Sequence, residues 1–162
     1  MPAEVTPLRM MTPAAVLAAL PHRAPFRFVD EILELDDAHI VAAHRFDADA
    51  DFYRGHFPGN PITPGVLLLE AMAQAGVAAH AIYLFAQQAD GDAAQAPGAP
   101  ILPLFSEATV EFLGMVAPGE RVLIRGRKLV FRRRLIRSAV EMTRENGATV
   151  CTGTLTGIGV VT

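Results

Sequence analysis

The sequence predicts an α+β domain in which a curved antiparallel sheet wraps around one long apolar helix. Three observations carry this. The run from Val66 to about Gln87 is apolar on nearly every side and is the only long helical stretch. About six strand-like segments accompany it. Turn signals at Asp36-Asp37, Pro118-Gly119 and Asn146-Gly147 lie between those segments, as antiparallel neighbours require.

In chain order, residues 1–20 read as an N-terminal extension ending in a short helix. Thr12 caps it, Pro13 opens it, and Pro21 and Pro25 stop it. Phe26 to Leu35 and His39 to Phe46 are expected as strands. Gly55 to Gly65 is too rich in glycine and proline for regular structure, yet it leads directly into the long helix. Residues 88–100 gather Gly, Pro and small polar side chains and are expected to form a mobile loop. Leu104 to Phe112, Arg121 to Phe131, Leu135 to Arg144 and Ala148 to Val160 complete the strands. A helix that is apolar all round must be covered on most sides, and a wrapped sheet does this within one domain spanning residues 1–162. That arrangement is the hot-dog architecture.

Half the residues are hydrophobic (51%) and 19% are charged, so a packed core is expected. The net charge of -3 gives no reason to expect nucleic acid as a partner. Cys151 is the only cysteine, which excludes an intramolecular disulfide and a cysteine-based zinc cluster and suits a reducing, cytoplasmic setting. Met1 to Val5 lacks the basic start and apolar run of a signal peptide. Val66 to Ala86 is long enough to cross a bilayer, but Glu70, Gln74 and His80 interrupt it and no basic anchors flank it. It is read as a buried core helix, with no membrane span.

The informative stretch is Gly55-His56-Phe57-Pro58-Gly59-Asn60-Pro61-Ile62-Thr63-Pro64-Gly65, followed by Val66-Leu67-Leu68-Leu69-Glu70-Ala71-Met72-Ala73-Gln74. Proline and glycine restrict the backbone around His56, which suits a positioned acid–base group. Pro64 and Gly65 begin the helix, so the amides of Gly65 and Val66 lie at its positive end. A thioester carbonyl placed there would receive hydrogen bonds as charge develops on its oxygen. Glu70 lies among leucine, alanine and methionine, surroundings that favour the protonated carboxyl a general acid uses. Arg45 and Arg54 are candidate ion-pair partners for it. Gln74, four residues on, shares a helical face with Glu70 and can orient it. Base, acid and an electrophilic amide pair are what removal of water from a 3-hydroxyacyl thioester needs.

The run GHFPGNPITPGVLLLEAMAQ resembles the signature of the 3-hydroxyacyl-acyl carrier protein dehydratases of the FabZ type. Leu20-Pro21-His22-Arg23-Ala24-Pro25-Phe26 through Val29-Asp30 resembles that family's opening motif, and the order of elements matches from Leu20 to Gly157. The isomerising sister enzymes carry aspartate at the position of Glu70, which favours the plain dehydratase branch. The resemblance implies that His56 is the base, that Glu70 is the acid or water-orienting partner, and that the Gly65 amide polarises the carbonyl. It implies that the substrate is a (3R)-hydroxyacyl group on acyl carrier protein and the product a trans-2-enoyl thioester. Phosphopantetheine then arrives on the carrier, and no metal, nicotinamide or flavin is needed. Dimers, often three to a hexamer, are implied too, with His56 facing the Glu70 of a neighbour.

Two departures bear on the substrate. Thr63 stands where the family carries methionine, which is expected to place a hydroxyl beside the tunnel as site support. Phe112 to Glu120 lacks the family's basic pair. Arg125, Arg127, Lys128, Arg132, Arg133, Arg134 and Arg137 read either as a solvated edge strand or as a docking surface for acidic carrier protein, with Arg132, Arg133 and Arg134 its centre. His22 is read first as fixing the Pro21 to Pro25 turn, with lining of the tunnel entrance as the alternative. His39, His44 and His80 show no metal spacing, and Cys151 is expected to pack as a small hydrophobe. The competing functions are a catalytically weak acyl-thioester-binding subunit of the same fold and a hot-dog thioesterase.

Overall fold

The computed structural model describes residues 10–89 and 101–161. Helix α1 (Pro13–Ala19) precedes strands β1 (Glu31–Leu35) and β2 (His39–Arg45), and a 3-10 turn follows at Asp51–Arg54. The long helix begins as α2 (Gly65–Ala73), widens into a π-helical turn at Gln74–Ala79, and continues as α3 (His80–Ala89). Strands β3 (Ile101–Phe112), β4 (Arg121–Arg132), β5 (Leu135–Arg144) and β6 (Thr149–Val161) close the chain. All six strands form one antiparallel sheet in the order β1-β2-β4-β5-β6-β3. This sheet wraps the long helix, as a hot-dog architecture requires.

Local sequence explains the punctuation. Thr12 Oγ1 accepts from the Ala15 amide at 3.1 Å and caps α1, with Pro13 in the first turn. Asp36 Oδ1 takes the amides of Ala38 and His39, both at 2.8 Å, and turns β1 into β2. Gly147 at φ 90° makes the β5–β6 hairpin, a conformation that side chains with a Cβ resist.

The core lies between helix and sheet. Strands β4 and β5 alternate, burying Val122, Ile124, Ile136, Val140 and Met142 against the helix. Helix and sheet meet glycine to glycine: a Cβ built on Gly126 of β4 would stand 2.8 Å from the Gly76 Cα. The π turn, all small residues and Val77 after Gln74, therefore rests directly on sheet backbone. The window long and apolar enough for a membrane, within Gly65–Gln88, is 67% buried, so this helix is the core of the domain.

Four expectations are corrected. Phe26 to Asp30 is not strand, because the backbone of Phe26 and Phe28 is bonded to a side chain, Gln74, instead of a neighbouring strand. The π turn has no counterpart in an apolar pattern read at 3.6 residues per turn. The basic residues of β4 and β5 are not on an edge strand, since both strands lie inside the sheet and the edges are β1 and β3. The expected loop at 88–100 starts late: Gln88 and Ala89 still belong to α3, and residues 90–100 lie outside the described residues, as do residues 1–9 of the N-terminal extension.

Candidate active site

The loop carrying His56 is built largely from its own backbone. The His56 amide donates to Phe52 O at 3.0 Å and the Ile62 amide donates to His56 O at 2.9 Å. Phe57 and Asn60 exchange bonds at 2.9 and 2.8 Å around Gly59, whose φ is 72°. The His56–Phe57 peptide is cis, and the two rings stack at 4.0 Å. His56 Nδ1 lies 2.8 Å from Ile62 O. A carbonyl only accepts, so Nδ1 carries the proton and Nε2 presents its lone pair. Among the described residues nothing bonds to Nε2. This is the tautomer a base needs.

Thr63 closes the loop. Its amide donates to Val116 O at 3.0 Å, and its buried hydroxyl meets the Tyr53 hydroxyl at 2.6 Å. Burial pushes the Tyr53 phenol above its ordinary range. The Thr63 hydroxyl is thus engaged inside the loop and does not line the cavity of Glu70 in its own chain.

At the helix start the first intrahelical bonds run from Leu67 and Leu68 amides to Pro64 O, at 2.9 and 3.3 Å. The amides of Gly65 and Val66 precede them at the positive end of the dipole. Gly65 lies under Phe112 of β3, where a Cβ would stand 3.2 Å from the ring, while the Val66 side chain is 71% exposed. Glycine at 65 thus allows an aromatic ring from an edge strand to close on the helix N-terminus.

Glu70 projects from α2 with its side chain 19% exposed. Its Oε1 accepts from Gln74 Nε2 at 2.9 Å. Gln74 is fully buried and uses its whole amide: Nε2 also donates to Phe26 O at 2.9 Å, and Oε1 accepts from the Phe28 amide at 2.7 Å. The same oxygen of Glu70 lies 3.7 Å from His22 Nε2. Burial holds His22 below the ordinary imidazole range, with Glu70 opposing and Arg27 reinforcing the shift. Neither arginine named from the sequence pairs with Glu70. Arg45 donates to Gly119 O at 2.8 Å, and Arg54 lies 3.3 Å from Asp51.

His22, read from the sequence first as part of a turn and otherwise as lining the entrance, is the residue whose link to Glu70 sequence reasoning missed. The available signal was its place in the opening motif beside Phe26, whose carbonyl the Glu70-bound glutamine also holds. His22, Glu70 and Gln74 line a small cavity of about 30 Å³ against Val77, Leu104 and Phe105. A larger apolar cavity of about 140 Å³ shares Val77, Ala78 and Pro103 with it and continues along the helix to Phe85 and Ile158. His56 lines neither. Within one chain, then, His56 stands outside both cavities on the Glu70 face of the helix.

Arg132, Arg133 and Arg134 form the exposed β4–β5 hairpin, with Arg133 in the left-handed region at φ 55°. Arg125 and Arg137 are instead tied to the sheet, donating to Thr143 and Thr156 hydroxyls at 3.1 Å each. Cys151 is buried, and burial pushes its thiol up to about 11. Among the described residues no three His, Cys, Asp or Glu side chains gather as a metal site.

The chain is similar to known proteins in both sequence and fold. A family model described as a FabA-like domain matches residues 20–154. The 3-hydroxyacyl-[acyl-carrier-protein] dehydratase FabZ of Thermus thermophilus is 38% identical over 142 residues, 83% of this chain and 91% of its own length. The Streptococcus pyogenes enzyme of the same name is 51% identical over 69 residues, 42% of this chain and 49% of its own length. In fold, the chain is similar to the dehydratase heterocomplex ApeI:P from Xenorhabdus doucetiae, with TM-score 0.67, 20% identity, and 93% and 92% of the two chains covered. A Haemophilus influenzae thioesterase superposes with TM-score 0.61 at 13% identity, covering 95% and 94%. Dehydratases and thioesterases share this architecture, and sequence separates them: the chain belongs to the FabA-like family, with FabZ dehydratases among its relatives.

Proposed function

We propose that the protein removes water from (3R)-hydroxyacyl groups carried on acyl carrier protein, giving the trans-2-enoyl thioester. The relatives at 38% identity over most of the chain support the reaction class. The observation that carries the chemistry is that His56 and Glu70 are each held through one polar atom, leaving the other open. His56 is held at Nδ1 and presents Nε2, while Glu70 is held at Oε1 and presents Oε2.

His56 Nε2 takes the C2 proton. The C2–H electron pair moves through the enolate to form the C2–C3 double bond, and the C3–O bond breaks. Glu70 delivers a proton to the departing hydroxyl, which leaves as water. Enolate charge on the thioester oxygen meets the Gly65 and Val66 amides at the helix N-terminus. This is acid–base chemistry at fixed groups, and it requires no metal or redox cofactor; phosphopantetheine comes with the carrier.

The assembly completes the site. His56 lines neither of the two cavities along the long helix of its own chain, and edge strand β3 exposes Leu104 and Phe105 beside the Glu70 cavity and Phe112 over the helix start. In a homodimer, or three dimers in a hexamer, the partner's copy of this loop supplies the base to Glu70. The exposed Arg132–Arg134 hairpin is the proposed contact for the acidic carrier, in the cytoplasm.

The test is product formation from a 3-hydroxyacyl carrier substrate by wild type, His56→Ala and Glu70→Gln. Loss of enoyl product by at least about 100-fold in both variants is expected, and equal rates in all three would end the assignment. Release of free carrier thiol in the same assay would identify thioester hydrolysis instead. Mixing the two inactive variants should restore part of the activity if the pair spans two chains.

A further inference from the structure

We propose that His22 is a positioning residue for Glu70, fixing Oε1 so that Oε2 alone is presented to the substrate. The kinetic consequence rests on the dehydratase reading above; the contact itself does not.

A glutamate carboxyl turns easily about its last torsion, which is broad and nearly two-fold. One hydrogen bond from Gln74 leaves that rotation free, and the two oxygens can exchange. A second donor on the same oxygen stops it. His22 is placed to be that donor. Its turn is anchored by buried Leu20, and the Arg23 guanidinium bonds the carbonyls of Leu20 and His22, the latter at 2.8 Å. With the backbone so fixed, the ring lies in the Glu70 cavity with Nε2 3.7 Å from Oε1.

The other ring nitrogen agrees with this. His22 Nδ1 is buried and has no partner among the described residues. A proton there would be a buried donor without an acceptor, which is costly. A proton on Nε2 points at the carboxyl and leaves only a lone pair at Nδ1. The charged groups acting on the ring are Glu70 from α2 and Arg27 from the segment before β1, while β3 presents Pro103, Leu104 and Phe105. At 3.7 Å the contact is longer than a hydrogen bond; such contacts tighten when substrate fills the site.

Two variants separate positioning from bulk. His22→Leu keeps volume and removes both nitrogens, whereas His22→Gln keeps an N–H donor. His22→Leu should lower kcat about 10- to 100-fold, the size of loss that small misplacement of a reacting group produces, with KM within about threefold. His22→Gln should recover most of it, and His22→Leu should add little in a Glu70→Gln background. A cost equal in both backgrounds, or glutamine no better than leucine, overturns the proposal.

The second readout needs no turnover. The His22 imidazole is titrated by NMR in the full-length protein and in Glu70→Gln. Loss of the carboxylate that favours the imidazolium should move the midpoint to lower pH, and identical midpoints overturn the contact. If wild type forms no enoyl product, the dehydratase reading fails, while this titration still decides whether His22 engages Glu70.

Discussion

Gln74→Leu strikes the side chain that hydrogen-bonds both the segment before β1 and the acid of the site. The side chain is buried and makes three hydrogen bonds: to the Phe28 amide, to the Phe26 carbonyl and to Glu70. Phe28 itself is buried, so its amide would lose its partner without gaining water, at about 1–3 kcal/mol. The other two bonds lie nearer solvent, and their loss costs about 0.5–1.5 kcal/mol each. Leucine returns about 1 kcal/mol through apolar burial. The net expected loss is about 3 kcal/mol, a large part of the roughly 5–15 kcal/mol by which a domain is stable. With a urea slope near 2 kcal/mol per molar, the unfolding midpoint should fall by about 1.5 M. Activity should fall as well, since Glu70 loses its closest donor. A midpoint within about 0.3 M of wild type would show that the Phe28 amide has another partner, and would refute this accounting.

The Tyr53–Thr63 pair should behave asymmetrically. Thr63→Val alone leaves the Tyr53 hydroxyl unpaired and should cost about 1–3 kcal/mol in urea unfolding, whereas adding Tyr53→Phe should recover much of that. Gly126→Ala forces a methyl against Gly76 backbone and should destabilise by about 1–3 kcal/mol or more, read as a lower thermal midpoint. Acid should weaken the fold through His80. Its Nε2–H donates to Asp36 O at 2.8 Å, its Nδ1 is buried without a partner, and burial holds it below 6.5. A histidine depressed in the folded state contributes stability that is complete above its unfolded value of about 6.5 and is lost as pH falls toward the folded value. His44 and His22 shift the same way, also mainly through burial. The urea midpoint should therefore be lower at pH 5.5 than at pH 7.5, and His80→Gln should flatten that difference.

Most of the architecture was legible because hydrophobic period reports burial directly. Leu135 to Arg144 alternates cleanly and forms the expected strand, and the apolar run after Gly65 is the central helix. What was hidden involves partners distant in sequence. Phe26 to Asp30 has a strand-like composition, but the Phe28 amide and the Phe26 carbonyl are taken by a glutamine 46 and 48 residues away, which no local pattern records. The interior position of β4 and β5 depends on sheet order: β2 covers one side of β4 and β6 the far side of β5, pairings that a local pattern does not record. His56, Gly65 and Glu70 were identifiable as a motif because they lie within one short stretch. His22 could not be joined to them, because it meets Glu70 only after the N-terminal turn folds over the helix.

The wide turn at Gln74–Ala79 also gives the central helix an uneven tolerance of change. A π turn sets the angular phase between the residues before and after it, so removing one residue there would rotate Glu70 relative to His80 by about 100°. Its small side chains lie where the sheet leaves no room, whereas Val66 at the start is open to solvent. A library of substitutions along this one helix should therefore show a steep profile, permissive at Val66 and at the exposed end near Gln88, and almost closed to larger residues at its centre. Sequence drift in descendants of this chain would be channelled to the helix ends, with the middle acting as a fixed gauge of phase.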